Sequence, residues 1–346
     1  MRIGIVNDVS LAAEALRRVV VGAPEHEVAW IARDGAEAVR MCQSDKPDVV
    51  LMDLVMPVMN GVEATKRIML ESPCPILVVT ATVSGNFSLV YDAMGLGALD
   101  AVNTPVLDKN GQVSGAAELL RKIDLVARTA RATPRLSNSA PLKTPRADDF
   151  DEQSFPLVAI GASTGGPQAV GDVLQALPGD LHAAILVVQH ITQDFAAGLA
   201  QWLGQRSRLP VSVARAGEKI EPRRVYLAGT NDHMVIKPPR SLEYTPHPLD
   251  NPMRPSVDEL FTSLAEHWVR PGIALVLTGM GRDGAAGLLR LKQRNWHTIA
   301  QEPSDCVVPG MPGAAIQAGA ARQILPLAQI GPALLQRLRF SPSSRS

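Results

Sequence analysis

Ser163 lies in a run of small residues that joins a predicted strand to a predicted helix. The run from Gly161 to Gly166 follows the apolar stretch Leu157–Ile160 and precedes Pro167. Its first five residues fit G-x-S-x-G, in which a sharp strand-to-helix turn exposes the hydroxyl of a nucleophilic serine. A glycine-rich turn of this kind can instead hold a phosphate or a dinucleotide. The turn alone leaves both interpretations open.

Two further polar residues follow predicted strands in the same half of the chain. His190 comes one residue after the apolar stretch Ile185–Val188, and Asp283 comes shortly after Ile273–Leu277. In a parallel sheet the carboxyl ends of the strands share one edge, so both side chains can meet Ser163 there. An imidazole can take the serine proton, and a carboxylate can fix the imidazole tautomer. Each residue also has a structural alternative, since a strand-end histidine is more often a satisfied polar residue and Asp283 could be a helix cap.

The order of the three residues separates this pattern from more common folds. The turn G-A-S-T-G-G lacks the G-x-G-x-x-G spacing of a dinucleotide site. An ordinary α/β-hydrolase runs Ser, then Asp or Glu, then His. Here the order is Ser163, His190, Asp283, which indicates a different hydrolase architecture. The rival histidines do not directly follow a strongly apolar strand; they are His182, His233, His247, His267 and His297.

A second set of polar residues lies at predicted strand ends in the first half of the chain. Asp8 ends the first strand, Asp53 the third and Thr80 the fourth. Two carboxylates at one sheet edge can hold Mg²⁺, which prefers oxygen ligands and bridges phosphate oxygens. The hydroxyl of Thr80 can hydrogen-bond a phosphoryl group on Asp53. Any one aspartate could be only a helix cap, but three converging groups favour a site.

Both halves of the chain alternate β-branched runs with helical patterns, which indicates βαβ units and parallel sheets. The first half has five strands, as in the flavodoxin-like doubly wound order. Residues 131–155 are rich in Pro, Ser and charge without periodicity, and we predict a linker there. The fold class is therefore α/β, with a flavodoxin-like domain at 1–130 and a second doubly wound domain at 156–346. Residues 211–248 predict an antiparallel hairpin in the second domain.

The composition excludes several classes of protein. The 346 residues contain 34 Lys and Arg against 34 Asp and Glu, so the formal net charge is zero. This balance argues against nucleic acid as a partner, because nucleic-acid-binding domains usually carry a basic surplus. No signal-peptide pattern follows Met1, and no apolar run approaches the roughly 20 residues that span a membrane. Together with three scattered cysteines, these features predict a cytoplasmic protein without direct membrane insertion.

The stretch Met52–Pro57, followed by Asn60-Gly61, resembles the phosphoacceptor loop of bacterial response-regulator receiver domains. The resemblance covers about residues 1–128. It implies that a histidine kinase of the chemotaxis type donates phosphate. It also implies Asp53 as phosphoacceptor, Asp8 and Asp53 as ligands of Mg²⁺, and Thr80 as the switch hydroxyl.

Three positions depart from the receiver pattern. Receivers usually have two acids where this chain has Asn7-Asp8, a lysine at Thr104 and an aromatic residue at Ala101. Asn7 removes a negative charge near the cation, although its carbonyl oxygen could still be a ligand. Thr104 cannot supply an ammonium to a phosphoryl oxygen, and Ala101 has no ring to move. We therefore expect an altered response to phosphorylation.

The order Ser163, His190, Asp283, with the segments Met253–Phe261 and Gly284–Gly287, resembles the catalytic domain of the CheB family of chemotaxis methylesterases. The resemblance covers about residues 155–340, so that receiver, linker and catalytic domain follow in the family's order. It implies a Ser-His-Asp triad. It also implies supporting roles for Thr164 and Met280, with the Met280 backbone amide at the oxyanion hole.

The resemblance further implies a protein-glutamate methylesterase that acts on methyl-accepting chemoreceptors. It would hydrolyse glutamyl methyl esters and deamidate selected glutamines, with no cofactor for catalysis. Two alternatives stay open: a non-catalytic regulator that binds receptors or a kinase, and a general hydrolase of small esters. The Asn7 and Thr104 changes resemble the Wsp-type branch, which serves a pathway that controls cyclic-di-GMP.

Overall fold

The computed structural model describes residues 1–80, 87–107, 113–129, 155–249, 251 and 253–339. The chain divides into two compact units, Met1–Thr133 and Pro134–Ser346. This division falls within the predicted linker, of which only residue 155 is among the described residues. None of the helices in these ranges combines the length and hydropathy that a bilayer crossing requires.

The first unit is a five-stranded sheet surrounded by helices, with strand order β2-β1-β3-β4-β5 and parallel pairing throughout. This is the flavodoxin-like order that the sequence predicts. A separate small antiparallel pair joins β6 to β7. The elements are β1 (Arg2–Val6), α1 (Ser10–Val21), β2 (Glu27–Ala32), α2 (Gly35–Ser44), β3 (Val49–Met52), α3 (Gly61–Glu71), β4 (Ile76–Thr80), α4 (Phe87–Gly95), β5 (Asp100–Asn103), β6 (Val106–Leu107), β7 (Val113–Ser114) and α5 (Ala116–Thr129).

The central strands β3 and β4 are apolar except for Thr80 at the end of β4, because helices cover both faces of the sheet. Every residue of β3 and β4 is buried. Side-chain caps begin helices α2 and α3. The Asp34 side chain accepts from Glu37 N at 2.9 Å, and the Asn60 side chain accepts from Glu63 N at 2.9 Å. The short connections from β3 to α3 and from β1 to α1 carry the predicted acidic residues.

The second unit is built on a seven-stranded sheet of order β10-β11-β9-β8-β14-β15-β16, with parallel neighbours. The elements are β8 (Leu157–Ala162), α6 (Gly166–Gln175), β9 (Ala184–Gln189), α7 (Gln193–Arg206), β10 (Val211–Val213), β11 (Arg224–Leu227), β12 (His233–Lys237), β13 (Ser241–Thr245), α8 (Val257–His267), β14 (Ile273–Val276), α9 (Ala285–Gln293), β15 (His297–Gln301), α10 (Gly310–Gln317), β16 (Gln323–Leu325) and α11 (Leu327–Arg339).

The strand order explains where a site can form. The chain enters the sheet at β8, continues outward through β9 on one side, and later returns to add β14 on the other side. In open α/β sheets the crevice for ligands lies at such a reversal, outside the carboxyl ends of the strands. The segments that follow β8, β9 and β14 are the ones that carry Ser163, His190 and Asp283.

The predicted hairpin is present, since β12 and β13 pair antiparallel from His233↔Thr245 to Lys237↔Ser241. The elements of this unit that were not predicted include β10, β16 and α10. Strands β10 and β16 have three residues each, too few for a period-2 pattern to be recognised. Helix α10 has the sequence GMPGAAIQ, in which glycine, proline and small residues conceal the helical period.

Gly161 provides a test of how tightly this sheet packs against α8. A Cβ at Gly161 would lie 2.2 Å from Val257 Cγ1, a contact that the rigid valine side chain cannot relieve. We expect Gly161→Ala to reduce the free energy of unfolding of this unit by about 1–3 kcal/mol through overpacking. Thermal unfolding measures the effect. In the control Gly204→Ala on α7, the new Cβ has its nearest neighbour at 3.9 Å, so stability should be unchanged or higher. Equal melting temperatures for Gly161→Ala and wild type would contradict this packing.

Candidate active site

Ser163 lies in the turn between β8 and α6, and hydrogen bonds fix its backbone on two sides. Its carbonyl oxygen accepts from Gly166 N at 2.8 Å and from Gln189 Nε2 at 2.7 Å. Its amide donates to the carbonyl of Thr278 at 3.1 Å. Gly165 has φ +75°, a left-handed conformation that glycine adopts without strain. The turn therefore holds a half-buried serine at the carboxyl end of the central strand.

The loop from Gly279 to Gly284 passes directly against this turn. A Cβ at Gly279 would lie 2.8 Å from Ser163 Cβ and 2.3 Å from Met311 Sδ, so only glycine allows the approach. Met280 is the next residue of the loop. The backbone carbonyl of Thr164 accepts from Thr278 Oγ1 at 2.9 Å. Thr164 and Met280 thus belong to the two segments that meet at Ser163. Their supporting roles, and the Met280 amide at the oxyanion hole, stay predictions.

His190 and Asp283 are in direct contact. The His190 backbone amide donates to the carbonyl of Ala162 at 3.0 Å, which ties the end of β9 to the residue before Ser163. The His190 Nε2 atom lies 2.7 Å from Asp283 Oδ2. The exposed fractions of the two side chains are 10% and 7%, so bulk water barely screens the contact.

The N-terminus of α8 surrounds Asp283 with hydrogen-bond donors. Ser256 Oγ donates to Oδ1 at 2.7 Å, Val257 N to Oδ2 at 2.6 Å and Asp258 N to Oδ1 at 3.0 Å. Burial alone would raise the pKa of Asp283, but its hydrogen bond and charge interaction with His190 and the backbone donors hold that pKa below its usual value. The positive end of the α8 dipole acts in the same direction. Asp283 is therefore a carboxylate.

This arrangement determines which nitrogen of His190 can act as a base. An anionic Asp283 requires the proton of a neutral imidazole to be on Nε2, so Nδ1 carries the free lone pair. Within the described residues, Nδ1 is buried and has no hydrogen-bond partner. The geometry thus leaves a buried nitrogen with a free lone pair, His190 Nδ1, on the residue that follows β9. Strand β9 pairs with β8, which Ser163 follows.

Two residues of this network were not identified from the sequence. Gln189 holds the carbonyl of Ser163, and Ser256 both caps α8 and donates to Asp283. Ser256 fits the capping pattern S-x-x-E with Glu259, and its Oγ accepts from Glu259 N at 3.3 Å. That pattern predicts a helix start, but the sequence alone does not show that the same hydroxyl reaches Asp283. For Gln189 no sequence signal is evident.

In the first unit, Asp53 lies directly after β3 and is bonded on both carboxylate oxygens. Asn7 Nδ2 donates to Oδ2 at 3.0 Å, and Leu54 N donates to Oδ1 at 2.7 Å. Burial raises the pKa of Asp53, and the negative charge of Asp8 adds to the shift, although backbone donors oppose it. Asp8 itself is exposed, and Thr80 is buried at the end of β4.

The residues around Asp53 fit a Mg²⁺ ion held by two carboxylates. Asp8 raises the pKa of Asp53 by charge repulsion, which a divalent cation between them would relieve. Mg²⁺ commonly takes one or two carboxylates and completes its shell with water and phosphate oxygens. Asn7 contacts Asp53 directly: its amide donates to that carboxylate, and its carbonyl oxygen accepts from Val9 N at 2.9 Å.

Both halves of the chain match models of known domain families. A model of the CheB methylesterase family matches residues 158–334, and a model of the response regulator receiver domain matches residues 3–112. A Burkholderia lata protein named protein-glutamate methylesterase/protein-glutamine glutaminase 2 is 51% identical over 340 residues, which are 98% of each chain. The chain belongs to the CheB methylesterase family. Both domains of the predicted receiver and methylesterase architecture are therefore present.

Two further proteins of the CheB family are similar to this chain, one over almost its whole length and one over the second domain. A Pseudomonas aeruginosa protein named protein-glutamate methylesterase/protein-glutamine glutaminase 3 is 48% identical over 336 residues, covering 97% of this chain and 99% of that protein. The crystal structure of the Thermotoga maritima CheB methylesterase catalytic domain is 35% identical, with a TM-score of 0.50, and covers 53% of this chain and 99% of that chain. These similarities favour the methylesterase over the non-catalytic regulator.

Replacement of Ser256 by alanine tests the link between the helix cap and Asp283. The change removes a cap and one donor to the carboxylate, so we expect a stability loss of about 1 kcal/mol and a fall in hydrolytic kcat of about tenfold. Asp34→Ala removes the N-cap of α2 in the first unit, with a similar stability loss, and should leave basal kcat unchanged. Chemical denaturation and steady-state hydrolysis measure both effects. If Ser256→Ala loses stability but keeps the wild-type kcat, the hydroxyl does not support Asp283.

Proposed function

We propose that this protein is a protein-glutamate methylesterase regulated by its receiver domain. Its substrates would be γ-glutamyl methyl esters of proteins, in agreement with the names of its relatives. The proteins that carry these esters would be methyl-accepting chemoreceptors. The observation that carries the proposal is the 2.7 Å contact between His190 Nε2 and Asp283 Oδ2 at the sheet edge where Ser163 turns out of β8. An imidazole oriented by a carboxylate, at the sheet edge that also carries a half-buried serine, is the arrangement that acyl transfer to a hydroxyl needs.

The first half of the reaction would use the lone pair on His190 Nδ1. Ser163 Oγ attacks the ester carbonyl while Nδ1 takes its proton, and Asp283 stabilises the imidazolium that forms. The negative charge on the substrate oxygen would be stabilised by the Met280 amide, with Thr164 in support. One such donor is worth roughly 10²–10³ in kcat. His190 then returns the proton to the leaving oxygen, and methanol departs from the acyl-enzyme.

The second half would repeat the first with water as the nucleophile. His190 Nδ1 takes a proton from water, the hydroxide attacks the acyl-enzyme, and glutamate and the Ser163 hydroxyl are released. Deamidation of a glutamine would follow the same path with ammonia as the leaving group. Every proton transfer is made by side chains of the chain itself, so the proposal includes no cofactor for catalysis.

The protein would act in the cytoplasm, and its receiver domain would control the esterase activity. A histidine kinase of the chemotaxis type would donate phosphate to Asp53. Mg²⁺ held by Asp8 and Asp53 would neutralise the phosphoryl charge when bound. The Thr80 hydroxyl would hydrogen-bond the phosphoryl group. Because Ala101 has no ring and Thr104 no ammonium, we propose that the response of this switch to phosphorylation is altered. The Asn7 and Thr104 changes separately favour the Wsp-type branch, which serves a pathway that controls cyclic-di-GMP.

Methanol release from a methylated chemoreceptor tests the enzymatic proposal. We expect Ser163→Ala to abolish release, and Asp283→Asn to lower kcat by about 10⁴ because the carboxylate no longer fixes the tautomer. Equal, slow release by wild type and Ser163→Ala would show that the protein is not this esterase. Fast hydrolysis of small soluble esters without a receptor would indicate instead a general hydrolase.

A small-molecule phosphodonor such as acetyl phosphate tests the retuned switch. We expect the donor to stimulate wild-type hydrolysis only slightly, and to stimulate Thr104→Lys more strongly because the new ammonium can bind the phosphoryl group. The ratio of rates with and without donor is the measurement, and Asp53→Ala should give a ratio of one in either background. A large wild-type stimulation that disappears in Asp53→Ala would contradict a retuned switch.

A further inference from the structure

Asp258 connects two helices: α8, whose N-terminus donates hydrogen bonds to Asp283, and α9, which begins two residues after Asp283. It lies in the first turn of α8, and its backbone N donates to Asp283 Oδ1 at 3.0 Å. Its own Oδ1 accepts from Gly287 N in the first turn of α9 at 2.6 Å. Asp283 thus accepts from amides in the first turn of α8, while Asp258 accepts from an amide in the first turn of α9. We propose that Asp258 is a positioning residue for catalysis, which fixes the orientation of Asp283 by locking the starts of the two helices together.

Helices α8 and α9 pack closely at the contact between Asp258 and Gly287. A Cβ at Gly287 would lie 2.6 Å from Phe261 Cβ and 3.0 Å from the carbonyl oxygen of Asp258, so the two helices meet backbone to side chain. Gly287 N is among the first four amides of α9, which have no partner inside their own helix. Removing the Asp258 carboxyl would leave this amide buried and unsatisfied. The start of α9 would then shift to find another partner, and it would move Asp283, which is four residues earlier in the chain.

The protonation of Asp258 is compatible with this role. Burial and the neighbouring charge of Asp283 raise the pKa of Asp258 to about 7. A protonated carboxyl still has an oxygen that accepts from Gly287 N, and it adds no second negative charge beside Asp283. An asparagine offers the same acceptor without charge and is therefore the conservative replacement. Alanine or leucine removes the acceptor.

The test compares Asp258→Asn, Asp258→Ala and Asp258→Leu in the full-length protein. It rests on the proposed methylesterase activity for one readout, the kcat and KM of methanol release from a methylated receptor. A second readout needs no receptor: the rate at which a fluorophosphonate labels Ser163, which depends on the same base. Asp172→Ala is the control, because it removes an aspartate whose contacts lie outside the junction of α8 and α9. Asp172 lies on α6, where its carboxylate accepts from Gln168 at 2.6 Å and lies 4.0 Å from the guanidinium of Arg206.

We expect Asp258→Ala to lower kcat and the labelling rate by about 10- to 100-fold per folded molecule with little change in KM, since small displacements of catalytic groups have effects of this size. Asp258→Asn should recover most of the wild-type rate, and Asp172→Ala should match wild type. If Asp258→Ala does not fold, Asp258→Leu fills the same space without an acceptor and takes its place.

Three outcomes would overturn the proposal. Wild-type labelling and kcat in the folded alanine or leucine variant would show that the contact is dispensable. Equal impairment of Asp258→Asn would show that the acceptor oxygen is not what matters. A loss of rate that merely follows the loss of folded protein would show a structural role only. Labelling of Ser163 without methanol release by wild type would instead refute the proposed substrate and leave the role of Asp258 testable by labelling.

Discussion

The negative charge of Asp283 at the start of α8 is the interaction on which the rest of the site depends. A buried carboxylate is costly unless donors replace the water it loses. Here a hydroxyl, two backbone amides and a helix dipole do so, and they leave one direction open, in which the imidazole of His190 lies. The helix therefore sets both the charge and the orientation of the carboxylate, and through it the tautomer of His190.

The carboxylate contacts the other ring nitrogen of the histidine here than it does in the familiar serine triad. There the carboxylate holds Nδ1–H and the base is Nε2. In this protein Asp283 contacts Nε2, and Nδ1 is the nitrogen with a free lone pair. Asp283 and His190 reach the site from opposite sides of the central strand β8. Neighbouring strands β9, β8 and β14 supply the three segments.

The sequence was sufficient to predict the two α/β domains and the strand ends that carry polar residues, since parallel strands with buried faces have a strong pattern. It did not predict how those residues are held. Ser256 and Asp283 are 27 positions apart, and Asp258 and Gly287 are 29 apart, so their contacts depend on how α8 packs on α9. Asn7 shows the same limit: the sequence does not reveal that its amide donates to Asp53, a contact between residues 46 positions apart.

The position of the proton on His190 tests the central claim most directly. Nitrogen-15 NMR of histidine-labelled protein near neutral pH can report it, with His190→Gln to assign the signals. The account predicts that the neutral ring carries its proton on Nε2, and that Asp283→Asn perturbs this signal while leaving those of the other histidines in place. A proton found on Nδ1, or a His190 signal unaffected by Asp283→Asn, would contradict the account.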